Sequence, residues 1–382
     1  MARKRGQNMG SVYRRNDGRW VGQVTIESEK HYKYFKTQRE AREWVQKTTI
    51  QVDDGLSFSA TQITFKEFMH YWLDSAKPSI RPNTVRQYGY VVNNHIPDGL
   101  GKVKLKDLRP EMIQVLINKK LEEGLSTRTV ELIFAVVRRA LNQAVQQSIL
   151  PRNPIKGVTK PKPKRPEMVT LTDTQVRTLL LAVRDTRFEA LYQIAVTTGM
   201  RKGEILGLKW SDLDWVNRTL HVQRQLLRIN NQGLVFDAPK SKASRRVIVL
   251  GEATIEKLRG HQTLQHKERL FAGERWQEYD LIFPSTIGTP MEPRNCVRHF
   301  KETLREANLP NVRFHDLRHS AASLMLQQGT HPKIVQERLG HASISLTLDT
   351  YSHVIPTMQE EVAAKIDELL TPIDVSVELA SK

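Results

Sequence analysis

Two arginines, two histidines and a tyrosine in the second half of the chain are a set able to handle one phosphodiester. Arg201 stands in Thr198-Gly199-Met200-Arg201-Lys202-Gly203-Glu204, and His315 and Arg318 in His315-Asp316-Leu317-Arg318-His319. His341 follows Leu339-Gly340, and Tyr351 lies in Asp349-Thr350-Tyr351-Ser352-His353. Guanidinium groups keep their charge and meet phosphate oxygens through a planar fork of donors. Imidazole gives or takes a proton near neutral pH. A phenol, with a pKa of about 10, is mostly protonated there, but a cationic pocket lowers that value and a neighbouring base takes the proton in the transition state. Attack by such an oxygen on phosphorus gives a phosphotyrosyl bond and frees one sugar hydroxyl. That bond keeps the energy needed for rejoining, so no nucleotide is consumed.

Each position has an ordinary alternative. Arg201 with Glu204 one turn on also reads as a surface salt bridge, and a lone tyrosine is usually core or surface. Set together in this order, they favour chemistry. His315 and Arg318 are three apart and share a helix face. His319 raises a metal reading, but there is no His-Glu-x-x-His, no partner cysteine and no carboxylate at ligand spacing. His319 therefore reads as a packing or supporting residue, His353 as structural, and neither metal nor cofactor is expected. Between two expected strands, Ala238-Pro239-Lys240-Ser241-Lys242-Ala243-Ser244-Arg245-Arg246 offers two lysines able to reach a leaving 5′-oxygen. Lys242 stands at the better distance before the strand from Arg246 to Leu250, ahead of Lys240.

The elements that must position these groups fall into distinct segments. Over residues 10 to about 36 an alternating pattern predicts three strands, with Asn16-Asp17-Gly18 as a hairpin turn and Thr37 capping a helix through Ala41, Trp44 and Val45. Arg3, Lys4, Arg5, Arg14, Arg15 and Arg19 make this module basic. From Thr64 the period becomes helical. Phe65, Phe68, Met69, Trp72 and Leu73 lie on a first helix, Val85, Tyr88, Val91 and Val92 on a second opened by Pro82, and Met112, Val115, Leu116 and Ile117 on a third. Thr129 to Ile149 gives a fourth, with Leu132, Ile133, Val136, Val137, Leu141 and Val145 facing the core. Lys160-Pro161-Lys162-Pro163-Lys164-Arg165-Pro166 admits neither helix nor central strand and reads as an extended basic linker. Beyond Met168, helices alternate with one short sheet (Leu220–Gln223, Leu234–Phe236, Arg246–Leu250). Phe188 to Thr197 is a helix closing at Gly199, and Arg201 starts another through Ile205 and Leu208.

The expected domains are residues 1–58, a sheet-and-helix module; 59–155, helical; 156–167, the linker; and 168–382, carrying the site. The fold class is multidomain and mainly α with small β-sheets: a three-stranded sheet plus helix, an all-α domain, and an α+β domain. A formal net charge of +18 over 382 residues implies a polyanionic partner. No apolar run is long enough to span a bilayer and the N-terminus lacks a secretory pattern, so double-stranded DNA is favoured over a membrane surface. Cys296, the sole cysteine, permits no internal disulfide and reads as inert in a reducing cytosol. The expected location is the cytoplasm of a bacterial host, at the nucleoid.

The ordered set of Arg201, His315, Arg318, His341 and Tyr351 resembles that of the tyrosine recombinases, in particular the phage-integrase branch, and the resemblance covers essentially the whole chain. It implies a site-specific recombinase, an integrase of a prophage or other mobile element, with Tyr351 as nucleophile and Lys242 as general acid. It also implies an arm-type DNA-binding domain in front, a core-type one after it, and a homotetramer on DNA attachment sites of both types. An excision factor or a host DNA-bending protein are further partners it leaves open. In the family, terminal helices exchange cyclically between protomers, and Val362, Ala363, Ile366, Leu369 and Leu370 form a stripe that either does this or packs on its own domain. The run Leu346, Leu348, Asp349 is more apolar than the pattern leads one to expect. Two rivals remain: a type IB topoisomerase, which has no need of the basic front module, and a non-catalytic DNA-binding regulator, which has no need of Tyr351 or Arg318.

Overall fold

The computed structural model describes residues 10–26, 29–53, 63–163, 169–229, 232–239 and 244–351, with Ala363, Ile366, Asp367 and Leu370. The chain divides into two compact units, Met1–Arg165 and Pro166–Lys382.

In the first unit, β1 (Ser11–Arg14), β2 (Trp20–Ile26) and β3 (Glu29–Phe35) form an antiparallel sheet in sequence order. α1 (Gln38–Asp53) covers it. The expected cap is present: the Glu40 N–H donates to Thr37 Oγ1 and the Thr37 N–H to Glu40 Oε2. Val24 and Val45 form the small core with Val12 and Trp44.

A separate core holds the helical segment: α2 (Phe65–Ala76), α3 (Pro82–His95), the single turn α4 (Asp98–Gly101), α5 (Pro110–Glu122) and α6 (Thr127–Gln146). Thr64 and Glu67 form a reciprocal cap on α2, and prolines open α3 and α5, where a missing N–H costs nothing. Phe65, Phe68 and Trp72 are fully buried, each stabilising by about 1.5–3 kcal/mol relative to exposure. α5 turns differently from the expected stripe. Ile113, Leu116 and Ile117 are buried, whereas Met112 and Val115 are exposed. Two of the four residues read from sequence, Met112 and Val115, lie off the buried face, and Ile113 completes it with Leu116 and Ile117.

The second unit is built around α8 (Glu189–Thr198), whose Ala190, Leu191, Ile194 and Ala195 are buried. α7 (Asp173–Ala182), α9 (Lys202–Leu206), α10 (Glu252–Ala272) and α12 (Asp316–Gln327) pack against it. α11 (Pro293–Glu306) adds Cys296, Phe300 and Leu304 to the same core. α13 (Pro332–Leu339) and α14 (Ile344–Tyr351) pack on each other beside α12. The strands form two sheets among the described residues where one was expected. One has the order β4 (Leu213–Asp214), β5 (Thr219–Val222), β8 (Arg246–Val249); the other is a hairpin of β6 (Gln225–Ile229) and β7 (Gly233–Asp237). β7 and β8, the strands on either side of residues 238–245, therefore lie in different sheets. Cys296 is fully buried, and burial pushes its thiol pKa up to about 12, as suits an inert residue.

Candidate active site

The second unit brings five of the six expected residues into one neighbourhood. Arg201 caps α9, a single turn that ends at Leu206 with Gly207 as its cap, shorter than the expected helix through Leu208. Its backbone N–H donates to Glu204 Oε2 at 3.0 Å and its Nη1 donates to Glu204 Oε1 at 2.7 Å. Glu204 also accepts from Arg246 Nη2 at 3.1 Å. Burial alone pushes the Glu204 carboxyl up, but Arg246 and the Arg201 backbone and guanidinium outweigh it and hold the group below the usual carboxylate range. Arg201 is thus an oriented, partly exposed cation and not a mobile surface pair.

Arg318 projects from the first turn of α12 and is 3% exposed. Its Nη1 donates to the Gly199 and Leu339 carbonyl oxygens, both at 2.8 Å. Gly199 ends α8 in the left-handed conformation (φ 63°), which turns its carbonyl toward Arg318. Arg318 Nη2 is buried and makes no hydrogen bond among the described residues. Burial first, then Arg201, push the Arg318 pKa down to about 9. A buried donor without a partner among the described residues, in a region where Arg201, Arg246 and Arg318 gather around Glu204, is arranged to receive an anion.

The histidines stand around this cation. His315 precedes α12 and is open to solvent, with its pKa held below the usual range by partial loss of hydration, His319, Arg318 and Arg201. His341 follows Gly340, which caps α13 at φ 70° as expected. Its Nδ1 pairs with Thr347 Oγ1 at 2.8 Å, and burial followed by Arg318 and Arg201 pushes it down to about 4. Both rings are therefore neutral at neutral pH.

Tyr351 is the last residue of α14 and is 1% exposed. Its ring packs with Ala322, Leu326, Val335 and Leu339 between α12 and α13. Burial pushes the phenol pKa up to about 12, and Arg318 opposes that rise. The hydroxyl lies 2.8 Å from Nδ1 of His319. Of the two readings of His319, packing or supporting, this contact favours the second: one turn from His315 on α12, it is the ring that meets the phenol oxygen. Its only trace in the sequence was the four-residue spacing. Arg246, placed in a strand by sequence, was also missed. It is buried, and besides Glu204 it donates from Nε to the Arg338 carbonyl at 2.7 Å. Lys240, Lys242 and His353 lie outside the described residues. So do most of residues 352–382; of the expected terminal stripe, Ala363, Ile366 and Leu370 are helical and exposed.

Residues 169–358 match the phage integrase family, and residues 64–121 match the phage integrase N-terminal SAM-like domain. A tyrosine recombinase XerC-like protein of Caldanaerobacter subterraneus subsp. tengcongensis is 30% identical over 355 residues, spanning 88% of this chain and 91% of the relative. The chain belongs to the phage integrase family. This recombinase, an enzyme that cuts and rejoins DNA strands, is also 28% identical to the ICEBs1 integrase of Bacillus subtilis over 87% of its length and 91% of the relative's. Its fold is that of the Tn1549 transposon integrase solved with transposon right end DNA, with a TM-score of 0.67 at 22% identity over 79% of this chain and 100% of the other. A lambda integrase dimer bound to a core site gives a TM-score of 0.56 at 20% identity, over 91% of the recombinase and 96% of that chain. No helix among the described residues is long and apolar enough to cross a membrane.

Proposed function

We propose that Tyr351 is the nucleophile of this recombinase and that Arg201, His315, Arg318 and His341 hold the scissile phosphate. The observation that carries the reading is the buried, unpartnered Nη2 of Arg318 in the cationic neighbourhood of Tyr351. A phosphate oxygen would satisfy that donor, and Arg201 would bind a second. The two guanidinium groups would carry the charge developing on phosphorus, a task worth roughly 3 kcal/mol or more per preorganised donor. His315 and His341, neutral at working pH, would donate to non-bridging oxygens. Lys242, preferred to Lys240, would protonate the 5′-oxygen as it leaves. Neither metal nor cofactor enters this scheme.

The partner is double-stranded DNA at the attachment sites of a prophage or mobile element, bound by four protomers during exchange, with an excision factor or DNA-bending protein as auxiliaries. Residues 1–58 would grip arm-type sites, 59–155 core-type sites and 156–167 the path between, leaving 168–382 to do the chemistry. Supporting this division, α6 and its surroundings line a cavity of about 620 Å³ with Arg128, Arg138, Arg139 and Lys160, and Arg15 and Arg19 flank the exposed Tyr34 ring on the front sheet.

Incubation with a supercoiled plasmid carrying both ends of the encoding element tests the reading. Recombinant circles are expected. Relaxation without recombinants would indicate a topoisomerase, and binding without strand breakage a regulator.

A further inference from the structure

We propose that His319 is the base that takes the Tyr351 hydroxyl proton during strand cleavage, an inference that rests on Tyr351 being the nucleophile. The phenol oxygen and His319 Nδ1 are 2.8 Å apart, within the reach a general base needs. The two rings are tilted by 55° with centroids 5.9 Å apart. The partner is fixed on both sides: His319 belongs to the same helix as Arg318, and Tyr351 is seated in the core between α12 and α13. A buried tyrosine hydroxyl needs a hydrogen-bond partner in any case; here that partner is a titratable ring, set against the oxygen that must lose its proton.

The charged and titratable groups around His319 come from every neighbouring element. His315, Asp316 and Arg318 belong to the start of α12, Arg313 precedes it, His341 follows α13 and Tyr351 closes α14. Burial lowers the His319 pKa, Asp316 raises it, and Arg318 and Arg313 lower it, with a net fall below the usual histidine range. The ring is thus neutral at neutral pH, and the proposed role requires the tautomer with its proton on Nε2, which leaves Nδ1 to accept.

In the step itself, the Tyr351 oxygen bonds to phosphorus while its proton passes to His319 Nδ1. The bond from phosphorus to the 5′-oxygen breaks, its electron pair goes to that oxygen, and the acid of the site supplies the proton that makes the 5′-hydroxyl. Rejoining runs the same transfers backwards: the departing phenolate recovers its proton from His319.

The test uses the full chain and a nicked duplex carrying one end of the encoding element, with covalent adduct followed in a single turnover. His319→Asn keeps an acceptor at the Nδ1 position but takes no proton. It should bind the duplex as the unaltered chain does, form adduct about 100-fold more slowly at pH 7.5, within the usual range for loss of a general base, and lose the fall in rate seen on acidification. Added imidazole should partly restore His319→Ala. A His319→Asn rate and pH profile equal to those of the unaltered chain would overturn the proposal. Nitrogen-15 NMR of the DNA-free protein gives a reading independent of activity: His319 should carry its proton on Nε2, and a proton on Nδ1 would count against it. Adduct formed by Tyr351→Phe would instead overturn the nucleophile assignment, so the two failures are distinct.

Discussion

Arg318 and Gly199 are joined by a 2.8 Å hydrogen bond from the guanidinium Nη1 to the glycine carbonyl, and the bond exists because Gly199 has a φ of 63°. A Cβ at this position would lie 2.4 Å from Leu339 Cδ2, in a fully buried side chain, and would hold the backbone in a conformation that L residues resist. Gly199→Ala should therefore cost about 1–3 kcal/mol in stability. By shifting Arg318 it should also slow adduct formation about 100-fold, the scale of loss expected from a misplaced binding group. Urea unfolding and single-turnover cleavage measure the two effects separately.

Glu204 is the one carboxylate shared by Arg201 and Arg246. Removing it strands a buried guanidinium, so Glu204→Ala should lose about 3–5 kcal/mol of stability, as breaking a buried ion pair does. Glu204→Gln retains the shape and half of the acceptors and should lose less. The order of the two midpoints in denaturant checks this, and equal midpoints would show that the carboxylate charge matters little.

Acid should weaken the second unit before it reaches the carboxylate range. His341 and the buried His261 have pKa values near about 4, below the usual histidine value, chiefly through burial. The His261 bond to the Ile282 carbonyl opposes the shift. As pH falls, the unfolded chain binds these protons first, so the stability they contribute is present above about pH 6.5 and is lost on descent toward about pH 4, with an upper bound on the order of 3 kcal/mol per group. Unfolding midpoints at pH 7.5, 5.5 and 4.5 should fall in that order. His261→Gln, which can still donate to Ile282, should flatten the slope in part.

Metal removal supplies a further check on the charge assignment. With Arg201 and Arg318 as the cations of the site, adduct yield should be unchanged by excess chelator. A loss restored by magnesium or zinc would contradict the assignment.

The residues proposed for the chemistry were legible because of local signatures: Gly199 before Arg201, Gly340 before His341, and the three-residue spacing of His315 and Arg318. The cap at Thr37 was equally plain, since Thr followed three residues on by Glu states both halves of a reciprocal pair. What stayed hidden depends on contacts between distant segments. His319, read as a packing or supporting residue, gains its partner only when Tyr351, 32 positions away, folds back on it. Arg246 reads as a strand residue until Glu204 and the end of α13 close around it. β6 was missed because Gln225-Leu226-Leu227-Arg228-Ile229 lacks strict alternation, and only pairing with β7 defines it. Met112 and Val115 misled for a related reason: a helix's buried face is chosen by its neighbours, here α6 and the segment after it.

The most direct test of the account is the identity of the covalent link. Protein trapped on a nicked duplex bearing the element's end should be digested and the DNA-bound peptide sequenced by mass spectrometry, beside a Tyr351→Phe control. The account predicts a 3′-phosphotyrosyl bond at Tyr351 and a control that binds the duplex yet forms no adduct. An adduct on another residue, or one that survives denaturing electrophoresis in Tyr351→Phe, would contradict it.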